Sequence, residues 1–251
     1  MSLLKIDNIK MRYHSEKGEI EAIKNISFTV DEGDYICILG PSGCGKSTLL
    51  NIMSGLLVSS EGSILFNDSP LKNNLDKIGY MFQKDHLFPW TSVFNNITLG
   101  LKIKGVLNDE NISYVESLIK KYDLEKFKDH KPSEISGGMR QRVALIRTLA
   151  LKPSILFLDE PFSALDYQTR LNVCNDIHEI IKSEGKTAVM VTHDISEAIS
   201  TSDKIILLSK RPAFIKEIID ISFDKSLTPF QRRSSSEFKN YFNHIWTEME
   251  D

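Results

Sequence analysis

Tyr35-Ile36-Cys37-Ile38-Leu39-Gly40-Pro41-Ser42-Gly43-Cys44-Gly45-Lys46-Ser47-Thr48 runs from five apolar residues straight into the pattern G-x-x-x-x-G-K-[ST], and residues 49–57 continue as a helical stretch. Strand, glycine loop and helix in that order make a phosphate cradle. Gly40, Gly43 and Gly45 let the backbone curl until successive N–H groups face an anion, and the helix that follows adds its positive end. Lys46 then places a point charge on the β and γ phosphates of a nucleoside triphosphate, and the Ser47 hydroxyl is placed to ligate Mg2+. Pro41, Ser42, Cys44 and Thr48 complete the loop as candidate nucleotide contacts. Inward N–H dipoles favour a Cys44 thiolate, so bound nucleotide should shield that sulfur from thiol reagents. Many chemistries use such a cradle, which establishes a triphosphate and little more.

Working outward, the chain has 251 residues with 31 Lys plus Arg against 34 Asp plus Glu, a net charge of -3. That balance offers no polycation to phosphate backbones and argues against a nucleic-acid binder. The apolar runs are strand-sized and fall far short of the ~20 residues a membrane helix needs. The N-terminus alternates charged and apolar residues, unlike a secretory signal, which points to the cytoplasm. Three cysteines without metal-ligand spacing read as reduced thiols.

Short apolar runs alternate with helical patterns, the arrangement of parallel strands under crossover helices, so the fold class is α/β. Residues 26–30 followed by the turn 31–34 predict an antiparallel β subdomain before the parallel core. Val115, Leu118, Ile119 and Tyr122 recur at helical spacing, predicting a helical insertion after the strand 78–82. Residues 187–192 and 204–208 read as buried strands flanking a helix that begins at Asp194, with Glu197 three positions on in capping-box spacing. Phe238, Tyr241, Phe242, Ile245 and Met249 share one face of a C-terminal helix docking on its own domain.

Residues 155–158 form an apolar strand ending in Asp159 and Glu160. Side-chain alternation separates the two carboxylates, so that Asp159 can hold Mg2+ while Glu160 faces the attacking water. Ser136, Gly137 and Gly138 open a long helix predicted over 139–151, a second helix N-terminus able to face phosphate. One chain has one triphosphate loop, so this extra anion site makes sense if two copies pair head to tail.

Residues 135–142, ISGGMRQR, make the resemblance specific: the chain is similar to the ATPase subunit of an ATP-binding cassette (ABC) transporter, whose LSGGQ-type signature it departs from at Ile135 and Met139. The resemblance implies a RecA-like P-loop NTPase core with an N-terminal antiparallel β subdomain and an inserted α-helical subdomain. It implies one nucleotide-binding domain over 1–251, with the helical subdomain at about 84–152 and a C-terminal hairpin and helix at about 211–251. It also implies that Tyr13 stacks on adenine, Gln83 contacts Mg2+ and the water, Asp166 bridges a dimer, and His193 hydrogen-bonds the γ-phosphate. Glu160, His193 and Gln83 are thus the catalytic candidates and Ser47, Gln83 and Asp159 the metal candidates, with ATP and Mg2+ as cofactors. The segment 87–90, LFPW, suits docking on permease subunits and resembles importers of nitrate, sulfonates, taurine and thiamine precursors. The implied partners are a second copy, a polytopic membrane permease and, indirectly, a solute-binding protein, with the chain peripheral on the cytoplasmic face of the membrane. Two alternatives stay open: a soluble ABC ATPase of the iron–sulfur assembly type, and a nucleotide-gated clamp with little turnover.

Overall fold

The computed structural model describes residues 2–15, 18–224 and 226–250. Its strands are β1 (Ser2–Ser15), β2 (Gly18–Asp31), β3 (Tyr35–Leu39), β4 (Glu61–Phe66), β5 (Ser69–Pro70), β6 (Ile78–Met81), β7 (Ile155–Asp159), β8 (Thr187–Thr192), β9 (Lys204–Leu208) and β10 (Ala213–Asp220). The helices are α1 (Lys46–Met53), α2 (Val93–Ile103), α3 (Asp109–Lys121), α4 (Gly137–Leu149), α5 (Tyr167–Ser183), α6 (Ile195–Thr201), α7 (Pro229–Arg232) and α8 (Ser236–Glu250). No described helix is long and apolar enough to cross a membrane.

One ten-stranded sheet runs in the order β5-β4-β1-β2-β10-β9-β3-β8-β7-β6. The strands β9, β3, β8, β7 and β6 pair in parallel, and β1, β2, β4 and β5 pair antiparallel. The antiparallel layer begins with a pair of 14-residue strands, much longer than the segment read from 26–30. It is not set apart from the core: β10 pairs antiparallel with β9 and briefly parallel with β2, which joins the two regions edge to edge.

Parallel strands buried on both faces read as continuous apolar runs, and β3 shows why. Tyr35, Cys37 and Leu39 pack into one core with residues of α2 to α6 and α8. Ile36 and Ile38 pack into a second core with α1 and the antiparallel strands. The same alternation in β7 sends Leu156 and Leu158 to the first core and Ile155 and Phe157 to the second. Asp159 therefore faces the side that carries α1. The chain leaves β3 for α1 on the side of the second core and its neighbour β8 for α6 on the side of the first, and ligands of open α/β sheets bind at such switch points, beyond the C-terminal strand ends.

The insertion holds the three helices α2, α3 and α4. α4 starts two residues before the expected 139 because Ser136 accepts a hydrogen bond from Met139 N at 3.3 Å and caps it there. α1 stops at Met53, short of 57, where Gly55 takes φ 76. The C-terminal helix docks as expected: Ile245 is buried in the first core, with Phe238, Tyr241, Phe242 and Met249 against it.

Candidate functional site

The loop between β3 and α1 is built by backbone freedom. Gly43 and Gly45 take φ of 74 and 122, values that side chains resist. α1 opens with Gly45 at its cap and no side chain bonded to its first N–H groups, so those donors stay aimed into the loop. Lys46 folds back under the loop, only 5% exposed, and donates to the carbonyls of Gly40 and Pro41 at 2.9 Å each. The loop thereby holds its cation in place. Ser42 is exposed, and Thr48 Oγ1 lies 3.3 Å from the Tyr13 hydroxyl, which brings the half-exposed Tyr13 ring to the rim.

Cys44 corrects the reading of a thiolate. Its side chain is buried, and burial pushes the thiol's pKa up, with the Lys46 charge and the backbone N–H groups only partly opposing that. Desolvation outweighs the dipoles because the sulfur is packed with the second core, even though it lies beside Gly40 and within reach of the Lys46 N–H.

Asp159 and Ser47 meet across the two elements: Ser47 Oγ donates to Asp159 Oδ1 at 2.9 Å. The Tyr80 hydroxyl lies 3.2 Å from Asp159 Oδ2 and 2.9 Å from Asn51 Oδ1. Burial raises the Asp159 pKa, while the bonds from Ser47 and Tyr80 pull it down. Neither Tyr80 nor Asn51 was singled out in the sequence; the only signal was a tyrosine on the strand beside β7.

Asp159 and Glu160 are separated differently from the alternation expected of a strand. β7 ends at Asp159, and Glu160 turns away with φ 41, its N–H donating to Val191 O at 3.0 Å. That turn points Glu160 at the other candidates. Gln83 Nε2 lies 3.4 Å from Glu160 Oε2 and 3.0 Å from Ser163 Oγ, and His193 Nδ1 lies 3.2 Å from Glu160 Oε1. Gln83, Glu160, Ser163 and His193 form one polar cluster beside the cradle's own acid. Ser163 was not among the candidates read from the sequence.

The segment after Gln83 is anchored from α4. Arg147 forks onto the carbonyls of Asp85 and His86 at 2.7 and 2.8 Å, and Arg140 Nε meets Asp85 Oδ2 at 3.0 Å. Beyond it, Phe88 and Trp90 stand exposed, with rings 5.0 Å apart.

Ser136, Gly137 and Gly138 lie elsewhere. The Ser136 hydroxyl caps its own helix, and a Cβ on Gly138 would meet Val173 Cγ2 at 2.7 Å, so the turn is pressed against α5. Asp166 caps α5, accepting from Thr169 N at 3.1 Å, and the Thr169 side chain, followed by that N–H, lowers its pKa. The bonds just described hold these residues to α4 and α5, not to the cradle. The Asp194–Glu197 capping box is only half made. Asp194 accepts from Ser196 N and Glu197 N, but the Glu197 carboxylate turns inward to Thr192 Oγ1 at 2.7 Å.

This geometry has relatives. The ABC transporter family model matches residues 23–163. The uncharacterized ABC transporter ATP-binding protein YtlC of Bacillus subtilis is 45% identical over 99% of this chain and 96% of its own length. The nitrate transport protein NasD of Klebsiella oxytoca is 34% identical over 97% of this chain and 94% of its own. The taurine import ATP-binding protein TauB of Ruegeria pomeroyi is 39% identical over 86% and 81%. Among solved structures, the dimeric post-hydrolysis state of the ATP-binding cassette MJ0796 with ADP and Pi matches with a TM-score of 0.74 and 32% identity, over 88% of this chain and all of that one.

Proposed function

The chain belongs to the ABC transporter family and is an ATPase, and from that premise we propose that it powers an importer of a small solute, working as a head-to-tail dimer docked on membrane permease subunits. The observation that carries the dimer is the division of phosphate-facing backbone between two places: a complete cradle at α1, and the Ser136–Gly138 turn held on α5, away from it. In a head-to-tail pair each turn closes over the nucleotide in the other's cradle. The exposed Phe88 and Trp90 beside the anchored segment after Gln83 suit a permease contact.

Lys46 neutralises β- and γ-phosphate charge, and the uncapped N–H groups of α1 cradle their oxygens. Ser47 and Asp159 offer hard oxygen donors and few of them, as suits Mg2+ shared with phosphates. When bound, that ion supplies further neutralisation of the charge developing on the transferred group. Glu160 accepts the proton of the attacking water, Gln83 orients that water, and His193 holds the γ-phosphate beside Glu160. Tyr13 stacks on the base and Asp166 reaches across the seam. Loss of several charge-assisted bonds of about 1.5 to 3 kcal/mol each on γ-phosphate release is enough to reopen the pair.

The solute reading draws its support from relatives named for nitrate, taurine and aliphatic sulfonates, and takes the cargo to be a small polar solute of that class; thiamine precursors rest on the sequence resemblance alone. A solute-binding protein would then deliver the cargo outside, with this chain on the cytoplasmic face. Glu160→Gln tests the enzyme: phosphate release should fall by ~10²- to 10⁴-fold while ATP still binds. Uptake of labelled nitrate, taurine and an alkanesulfonate by cells carrying Glu160→Gln tests the transport. Uptake of all three that survives the substitution contradicts the reading.

A further inference from the structure

His193 is bracketed by one buried carboxylate. Thr192, just before it, donates its hydroxyl to Glu197 Oε2 at 2.7 Å, and the N–H of Asp194, just after it, donates to the same hydroxyl at 3.1 Å. Asp194 accepts in turn from the N–H groups of Ser196 and Glu197 at 2.7 and 3.0 Å, so both neighbours of the histidine and the first turn of α6 close one ring of hydrogen bonds.

The Glu197 side chain is only 4% exposed, and a carboxylate so placed is costly unless a cation and hydrogen bonds attend it. Burial pushes its pKa up; the Thr192 bond and the Arg170 charge pull it back. Arg170 reaches in from α5. Its Nε lies 3.9 Å from Glu197 Oε1, its Nη1 3.8 Å from Asp194 Oδ2, and its Nη2 donates to the carbonyl of Leu165 at 3.1 Å. Leu165 precedes Asp166, the residue assigned to the dimer seam. A single planar guanidinium thus spans the seam loop and the turn that carries the histidine, a span suited to arginine's rigid fork of donors.

We propose that Arg170, Glu197 and Thr192 are positioning residues for hydrolysis, holding the His193 imidazole beside Glu160 and tying its place to that of the Leu165–Asp166 loop. Closure of the seam against a second copy would then set the histidine as well. The inference rests on the reading that His193 and Glu160 serve the γ-phosphate and the water.

Phosphate release by the full chain tests it. Thr192→Val keeps the buried shape and removes the hydroxyl; kcat should drop by about 10- to 100-fold, the scale of a small misplacement, with ATP affinity little changed. Thr192→Ser should restore it. In a His193→Ala background the same Thr192→Val should cost nothing more, because the group it positions is gone. Arg170→Gln alters a partly exposed side chain, should behave alike, and serves if Thr192→Val fails to fold. A kcat within about twofold of the parent in a folded variant overturns the proposal, and so does an undiminished loss in the His193→Ala background, the mark of a merely structural role. If His193→Ala and Glu160→Gln themselves turn over like the parent, the underlying reading fails and takes this one with it, a pattern distinct from failure of the positioning variants alone.

Discussion

The cradle and the Ser136–Gly138 turn are both glycine-rich entries to a helix, yet they are finished to different degrees. α1 leaves its first N–H groups without a side-chain cap, and Lys46, Ser47, Asp159 and Tyr80 converge around them. α4 caps itself through Ser136, and its Gly138 presses on Val173 and Thr169 of α5. The first is a site that wants only its ligand. The second has a fixed backbone, and the cation beside it, Arg140, is held by Asp85 and the Ile135 carbonyl; we read it as half a site, to be completed by another copy.

The contrast can be broken most severely at Lys46. Lys46→Ala removes two or so charge-assisted contacts to phosphate, about 3 to 6 kcal/mol, so ATP affinity should fall by ~10²- to 10⁴-fold in a nucleotide titration. Gly138→Ala should leave that affinity alone, since its clash lies on α5, while kcat falls by about tenfold; Val173→Ala in the same chain should recover most of the loss by making room. A lost affinity for ATP in Gly138→Ala would erase the distinction between the two places. Tyr80→Phe is milder: it takes one bond of about 1 kcal/mol from Asp159, and the Mg2+ concentration for half-maximal turnover should rise by about fivefold. Smallest is the effect of ATP on Cys44. Its thiol is already buried and its pKa raised, so alkylation should be slow with or without nucleotide and should keep climbing with pH beyond the ordinary thiol pKa, as thiolate forms only there. Fast labelling near neutral pH that ATP suppresses would restore the thiolate reading.

What could be read in the sequence was whatever local spacing encodes. The cradle lies in fourteen consecutive residues, and the buried strands announce themselves because both their faces need apolar side chains. The C-terminal helix was equally plain from five residues on one face. Glu197 was not, because capping-box spacing looks the same whether the carboxylate turns back to its helix or, as here, inward to Thr192. Glu160's left-handed backbone was hidden too, since nothing in Asp159-Glu160 tells where the strand stops. Tyr80, Asn51 and the Arg147 fork on Asp85 and His86 join residues 29 or more positions apart, and only the folded sheet makes them neighbours.

Sedimentation of the Glu160→Gln chain with saturating Mg-ATP bears most directly on whether nucleotide joins a cradle to a signature turn. A dimer should form with ATP and disperse without it. Adding Ser136→Asp, a residue that caps a helix as well as serine but sets a negative charge where phosphate should lie, should leave it monomeric. A chain that stays monomeric under ATP, or one that dimerises equally well with Ser136→Asp, contradicts the account.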